Sequence, residues 1–167
     1  MTNKPSKPIN LFDCATSQKV IGQDKFLNAF EKILNHGAYC QGPETKELET
    51  KLAAFSNAKY CTSCASGTDA LILPLMAWDV KPGDAVFVSS FTFVASAEAP
   101  VLLGATPIFV DSDPDTYNMD PKDLQRAIDE VKKEGKLNLK AVIAVDIFGS
   151  PVSYTPLRAH ETLSDLV

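Results

Sequence analysis

The stretch CTSCASGTDAL, residues 61–71, contains the signals of two different kinds of site. It combines a C-x-x-C pair, Cys61 and Cys64, with Gly67 and Thr68 at the start of an apolar segment. The cysteine pair is a pattern of zinc and redox sites. Small residues at the start of a helix are instead typical of a backbone turn that binds a phosphate group. The rest of the sequence decides between these two kinds of site.

Neither zinc nor redox chemistry is favoured for Cys61 and Cys64. A structural zinc site usually takes a second close pair of ligands, and Cys14 and Cys40 lie far apart in the sequence. A redox pair lies at a helix start, which lowers the thiol pKa, whereas here the helix is predicted to start later, near Gly67. We therefore expect the thiols to pack as small apolar groups in a buried strand and at its end.

Composition and charge argue against several classes of protein. A net charge of −5 without a basic cluster argues against a nucleic-acid partner, and a hydrophobic content of 45% argues against disorder. No apolar run reaches the roughly 20 residues that a membrane helix needs. The start, MTNKPSKPIN, lacks the apolar core of a signal peptide. These features predict a protein of the cytoplasm with no membrane and no nucleic-acid partner.

Predicted helices and strands alternate along the chain. We expect helices at residues 24–35, 43–55, 68–78, 95–103 and 121–133, and strands at residues 59–63, 85–89, 106–110 and 139–148. Several of these strands are apolar on both faces, which is the pattern of a parallel sheet covered on two sides. The sequence thus predicts an α/β fold with a mostly parallel sheet and helices on both faces, preceded by a flexible arm at residues 1–8.

Three segments follow predicted strands at the edge where open α/β sheets bind ligands. They are residues 64–69, 90–93 and 146–149. The chain contains neither G-x-G-x-x-G nor G-x-x-x-x-G-K-[ST], so the common dinucleotide and P-loop sites lose support.

The first two segments offer different chemistry. Ser66 and Thr68 can add hydroxyls to the free N–H groups of a helix start, although a simple helix cap explains this segment equally well. Phe91 and Phe93 follow a strand end, where an aromatic side chain can stack on a flat ring. A place in the core is the alternative for both rings, and we favour it for Phe91.

Three acidic residues form a D-x-D-x-D run at Asp111, Asp113 and Asp115. This spacing occurs in calcium loops, but the glycine at the sixth position and the later glutamate are missing. A solvated turn around Pro114 explains the run better than a metal site.

The chain resembles the N-terminal part of the DegT/StrS family of sugar-nucleotide aminotransferases. These enzymes use pyridoxal phosphate and have the aspartate-aminotransferase fold. The stretches that carry the resemblance are GPETKELETKLAAFSNAKYC (42–61), SCASGTDAL (63–71), KPGDAVFVSSFTFVASAEAPVLLGATPIFVDSDPDTYNMDP (81–121) and AVIAVDIFGSP (141–151). The resemblance covers residues 9–151, which it identifies as part of the cofactor-binding large domain. The motif GTDAL, residues 67–71, resembles most closely that of the branch of the family that aminates 3-keto sugar nucleotides.

The resemblance implies roles for residues already singled out. Ser66, Gly67 and Thr68 match positions that hold the cofactor phosphate, and Phe93 matches the aromatic residue that stacks on the pyridine ring. A turn in similar enzymes lies near the sugar nucleotide, and its residues here are Tyr39, Cys40, Gln41 and Gly42.

The implied activity is transfer of an amino group, usually from glutamate, to a keto sugar nucleotide in polysaccharide or cell-surface sugar biosynthesis. Family members work as homodimers with active sites at the interface. Two alternatives stay open. One is a related sugar-nucleotide dehydratase, which carries His in place of the lysine. The other is a non-catalytic α/β fragment that binds a phosphate ligand.

No catalytic residue is assigned within the chain. The family carries its Schiff-base lysine, and the aspartate that pairs with the pyridine nitrogen, beyond the matched residues. The lysines that lie in turns or polar segments here, outside any comparable motif, are Lys81, Lys132, Lys133, Lys136 and Lys140. We therefore expect this chain to be inactive alone, because it lacks the amine nucleophile. We cannot align residues 152–167 with the family. We interpret them as a non-native tail, and a divergent native helix is the alternative.

Overall fold

The computed structural model describes residues 12–151, in two compact units. The first unit ends at Ser63 and the second begins at Cys64. The segments interpreted as a flexible arm and as a non-native tail, residues 1–8 and 152–167, lie outside the described residues. No helix between residues 12 and 151 combines the length and the apolar character needed to cross a membrane.

The described part of the first unit, residues 12–63, contains three helices. They are α1 (Cys14–Ile21), α2 (Gln23–His36) and α3 (Pro43–Phe55). Helix α1 was not predicted; its N-cap is Asp13, whose carboxylate accepts the backbone N–H of Thr16 at 3.0 Å. Helix α2 ends at His36, and its C-cap is Gly37, which has a left-handed φ of 66°. Pro43 occupies the first turn of α3, where its missing N–H costs no hydrogen bond.

The predicted strand at residues 59–63 is wrong. The segment is irregular, and the backbone N–H and the hydroxyl of Ser63 both donate to the carboxylate of Glu49 on α3, each at 2.8 Å. A side chain thus takes the donor that a strand would offer to a neighbour. The expectation that the thiols pack in a buried strand is also wrong, because Cys61 is half-buried and Cys64 is exposed.

The second unit is a parallel α/β layer. In chain order it contains α4 (Gly67–Ala77), β1 (Asp84–Ser89), α5 (Ala95–Leu102), β2 (Thr106–Val110), α6 (Pro121–Glu134) and β3 (Asn138–Ile143). The strand order is β2-β1-β3, and both pairings are parallel. All six residues of the central strand β1 are buried, which explains its continuous apolar pattern.

Strand β3 is shorter than its sequence predicts. It was expected to continue to Phe148, but it ends at Ile143. Ile143 pairs with Val88, and β1 itself ends one residue later at Ser89. Among the described residues, no strand continues the ladder beside the residues after Ile143, which leave the sheet at its carboxyl edge.

Apolar side chains pack on both faces of the sheet. On one face Ala85 and Phe87 contact a cluster that includes Leu124 and Ile128 of α6. On the other face Val86 and Val88 belong to a second cluster, with Leu75 of α4 and Ala99 of α5. Each large buried side chain contributes about 1.5–3 kcal/mol through removal of its surface from water. The predicted α/β fold, with helices on both faces of a parallel sheet, is confirmed.

Candidate functional site

A cavity of about 420 Å³ lies at the carboxyl edge of the sheet in the second unit. Its lining residues include Gly67, Thr68 and Leu71 of α4, Thr92, Phe93 and Ser96 after β1, and Val145, Asp146 and Ile147 after β3. The structure therefore brings together residues of the three segments that were predicted to follow strand ends, although the first of these strands does not form. The volume lies in the range of small-molecule and cofactor sites, roughly 300–1,000 Å³.

The start of α4 forms one wall of this cavity and combines a cap with free donors. Ser66 is the N-cap, and its hydroxyl oxygen accepts the backbone N–H of Asp69 at 3.1 Å. Within residues 12–151, no hydrogen bond uses the N–H groups of Gly67 and Thr68. A Cβ added to Gly67 would meet nothing within 4 Å, so the backbone there is open to a ligand. These donors, together with the positive end of the helix dipole, favour an anion.

Phe93 and Phe91 have different surroundings. The Phe93 side chain lines the cavity and is 73% exposed. Phe91 is 47% exposed, so the expectation that it is a core residue is wrong. Its ring lies 5.9 Å from that of Tyr117 and 6.1 Å from that of Phe148. Phe91 therefore packs against neighbouring loops, while Phe93 faces the cavity.

The aromatic cluster formed by Phe91, Tyr117 and Phe148 was missed by sequence reasoning. The third pair of rings, Tyr117 and Phe148, meets edge to face at 5.6 Å. The three residues follow β1, β2 and β3 respectively, so the cluster joins the loops at the carboxyl ends of all three strands. An aromatic residue after every strand is the signal that could have revealed it.

The acidic run forms a turn, as its sequence indicates. One carboxylate oxygen of Asp113 accepts the N–H groups of Asp115 and Thr116 and the hydroxyl of Thr116, at 2.8–3.0 Å. The bonds from Thr116 hold the pKa of the Asp113 carboxyl below its usual value. No group of three His, Cys, Asp or Glu side chains suited to a metal ion occurs among the described residues.

The turn assigned to the sugar nucleotide lies in the first unit, between α2 and α3. Tyr39 is 69% exposed and Cys40 is exposed. Gln41 has a left-handed φ of 53°. Gly42 is buried, and a Cβ at this position would lie only 2.4 Å from the carbonyl oxygen of Ala38. The turn therefore requires glycine at its end, for reasons of space.

The sequence profile of the DegT/DnrJ/EryC1/StrS aminotransferase family matches residues 21–167. The chain belongs to this family. It is 44% identical over 151 residues to the UDP-2-acetamido-2-deoxy-3-oxo-D-glucuronate aminotransferase of Pseudomonas aeruginosa, a match that covers 90% of this chain and 40% of the relative. The resemblance stated from the sequence is thus confirmed.

Solved structures of the family have the same fold. A DegT DnrJ EryC1 StrS aminotransferase from Brucella abortus superposes with a TM-score of 0.88 at 42% identity, over 93% of this chain and 41% of that one. A Bacillus subtilis protein solved with bound cofactor PMP gives a TM-score of 0.75 at 27% identity, over 83% of this chain and 30% of that one. The chain thus spans about two fifths of the length of the first relatives that it matches.

Proposed function

We propose that the cavity in the second unit holds the phosphate and the ring of pyridoxal phosphate. The observation that carries the proposal is the meeting of Gly67, Thr68 and Phe93 around one cavity. Membership of an aminotransferase family, and the PMP bound by a structural relative, support this choice of ligand. When bound, the cofactor supplies the electron sink for amino-group transfer.

The residues present fit this ligand. The N–H groups of Gly67 and Thr68 and the Thr68 hydroxyl can donate to phosphate oxygens, and the open space beside Gly67 lets the phosphate approach the backbone. Ser66 uses an oxygen lone pair as the helix cap and retains its O–H hydrogen for donation. The exposed ring of Phe93 offers a flat apolar face for stacking.

For the whole protein we propose amino transfer from an amino acid, expected to be glutamate, to a keto sugar nucleotide. The aminotransferase of Pseudomonas aeruginosa, whose name specifies a 3-oxo sugar attached to UDP, supports this substrate class. The turn of Tyr39, Cys40, Gln41 and Gly42 is the proposed contact with the nucleotide. A homodimer in the cytoplasm and a role in polysaccharide biosynthesis belong to the same proposal. The catalytic amine is proposed to lie outside this chain, which would then be inactive alone.

The test of the cofactor site uses pyridoxamine 5'-phosphate, because this form lacks the aldehyde that reacts with surface lysines. Thr68→Val removes the hydroxyl while keeping the shape of the side chain. Loss of a hydrogen bond to a charged group costs about 1.5–3 kcal/mol, so we expect binding to weaken roughly 10- to 100-fold. Calorimetric titration measures this change.

The matched control is Thr45→Val, which makes the same substitution on α3 of the first unit. This variant is expected to bind the probe as the unsubstituted chain does. A second probe, pyridoxamine without phosphate, should bind weakly to every variant. Equal affinity for the two probes would contradict the proposed phosphate site.

A further inference from the structure

His36, the last residue of α2, contacts both ends of the turn at residues 39–42. Its Nδ1 accepts the backbone N–H of Ala38 at 3.0 Å, before the turn. Its Nε2 lies 3.1 Å from Oε2 of Glu44, after the turn. The second carboxylate oxygen of Glu44 lies 3.0 Å from the ammonium of Lys32, one turn earlier on α2.

These contacts indicate which ring nitrogen of neutral His36 carries the proton and that the Glu44 carboxylate is ionised. Because Nδ1 accepts a hydrogen bond, the ring proton of neutral His36 is on Nε2, which donates it to the Glu44 carboxylate. Lys32 holds the pKa of Glu44 below its usual value, chiefly by its hydrogen bond to the carboxylate. The ionised carboxylate is thus an acceptor for the imidazole. The side chains of His36 and Glu44 are 26% and 31% exposed, so neither is freely solvated.

Helix α2 does not need His36 in order to end. The N–H of Gly37 bonds to the carbonyl of Ile33 at 2.9 Å, which closes the last turn of the helix by itself. Both ring nitrogens of His36 are instead directed to residues beyond the helix. Their hydrogen bonds therefore stabilise the turn and not the end of the helix.

The turn has a strained backbone conformation, which the hydrogen bonds of His36 can stabilise. Gln41 has a left-handed φ, which a non-glycine residue adopts at a cost of about 1–2 kcal/mol. Gly42 packs against the carbonyl of Ala38 and has no room for a side chain. The ring of His36 joins Ala38 to Glu44 and so spans this conformation from its start to its end.

We propose that His36 is a positioning residue that fixes the turn of residues 39–42 for a nucleotide. The exposed ring of Tyr39 offers a face on which a base can stack, and the amide of Gln41 offers both a donor and an acceptor. Neither contact is available at low cost unless the backbone is already ordered. This inference rests on the proposed function, which supplies the nucleotide as the ligand of the turn.

The test compares His36→Ala with His36→Asn in the complete chain. Alanine removes both contacts, whereas the asparagine oxygen can replace Nδ1 as the acceptor for Ala38 but does not reach Glu44. Amide hydrogen exchange by NMR reports on the turn at Ala38, and the Gly37 amide reports on the intact end of α2. In the unsubstituted chain, imidazole ¹⁵N shifts should show the proton on Nε2.

We expect His36→Ala to speed exchange at Ala38 at least tenfold while Gly37 stays protected, and His36→Asn to restore most of the protection. UDP is the binding probe, and its dissociation constant should rise about tenfold in His36→Ala, as it does when only about a tenth of the molecules have the competent turn. Asn35→Ala, in the same exposed turn of α2, is the control and should change neither readout.

If the unsubstituted chain binds UDP, two results would overturn the proposal. One is unchanged exchange at Ala38 in His36→Ala, and the other is unchanged UDP affinity in a variant whose turn has loosened. If the unsubstituted chain does not bind UDP, the proposed nucleotide contact of the turn is wrong and the positioning proposal falls with it. The exchange data then still show whether His36 orders the backbone of the turn. Failure of the nucleotide contact is therefore distinguishable from failure of His36 to order the turn.

Discussion

The hydroxyl oxygen of Ser66 accepts the backbone N–H of Asp69 at 3.1 Å, beside the free N–H groups of Gly67 and Thr68. A helix cap and an anion site were alternatives from the sequence. The structure shows that they are compatible, because the cap uses only an oxygen lone pair of Ser66. The opening stretch thus provides a capped helix with donors left for a ligand.

Substitutions of Ser66 separate stability from phosphate binding. Ser66→Ala removes the cap and should lower the free energy of unfolding by about 1 kcal/mol. Ser66→Asp keeps a capping oxygen but places a negative charge beside the phosphate, so it should unfold as the unsubstituted chain does and bind pyridoxamine 5'-phosphate much more weakly. Urea unfolding and calorimetry measure the two effects. Tight binding by Ser66→Asp would mean that the phosphate lies elsewhere.

The two phenylalanines after β1 should respond in opposite ways. Phe93→Ala removes an exposed ring and should weaken binding of the cofactor analogue with little change in stability. Phe91→Ala removes ring contacts to Tyr117 and Phe148, each worth about 0.5–1.5 kcal/mol, and should lower stability while a correctly folded fraction still binds. Fluorescence titration and urea unfolding of both variants test this division of roles. The reverse pattern would show that Phe91 is the stacking residue.

Gly104 is required both by its positive φ and by its close contact with Pro82. Gly83 has a positive φ without such a contact, so the two glycines separate these effects. The φ of Gly104 is 78°, and an added Cβ would lie 2.7 Å from Cγ of Pro82. Gly83 also has a positive φ, of 93°, but a Cβ there meets nothing within 4 Å. Gly83→Ala should cost about 1–2 kcal/mol of unfolding free energy, from backbone strain alone. Gly104→Ala should cost clearly more, and equal losses in urea unfolding would show that the Pro82 contact relaxes freely.

Asp123 should make stability depend on pH in the acid range. Its carboxylate accepts Nε of Arg126 at 2.6 Å and the N–H of Asp111 at 2.7 Å, and these bonds hold its pKa below the usual value. Since the folded pKa is depressed, the stabilisation is present above the unfolded pKa of about 4 and is lost as pH falls through the folded value.

Asp123→Asn should therefore cost about 1.5 kcal/mol near neutral pH and progressively less as the pH falls below about 4. Asp129→Asn makes the same change of charge at an exposed position of α6 and serves as the control. Urea unfolding at a series of pH values measures both. A constant difference between Asp123→Asn and the unsubstituted chain at every pH would show that the ionised carboxylate contributes nothing.

The sequence predicts the second unit well because its signals are local. A continuous apolar run defines β1, and the alternation of strands and helices defines the parallel sheet. The errors arise where residues distant in the sequence determine the local secondary structure. Glu49 takes the donor of Ser63, so no strand forms there, and the end of β1 at Ser89 ends β3 as well.

The same distinction applies to the candidate site. Gly67, Thr68 and Phe93 could be selected because each follows a predicted strand end. The strand predicted before Gly67 does not form, but the structure still places all three residues around one cavity. The contacts of Phe91 with Tyr117, and of His36 with Glu44, join residues from separate elements. No periodicity in the sequence records such contacts, so they became visible only in the fold.

The cofactor site is tested most directly by a map of amide shifts in the ¹⁵N-labelled chain during titration with pyridoxamine 5'-phosphate. The proposed site predicts that the largest changes occur at Gly67, Thr68 and Phe93, and that inorganic phosphate competes for the first two. A different result would be a saturable change centred on the polar groove of α2, which includes Lys32 and His36. That pattern, or no saturable change at all, would contradict the cofactor site proposed here.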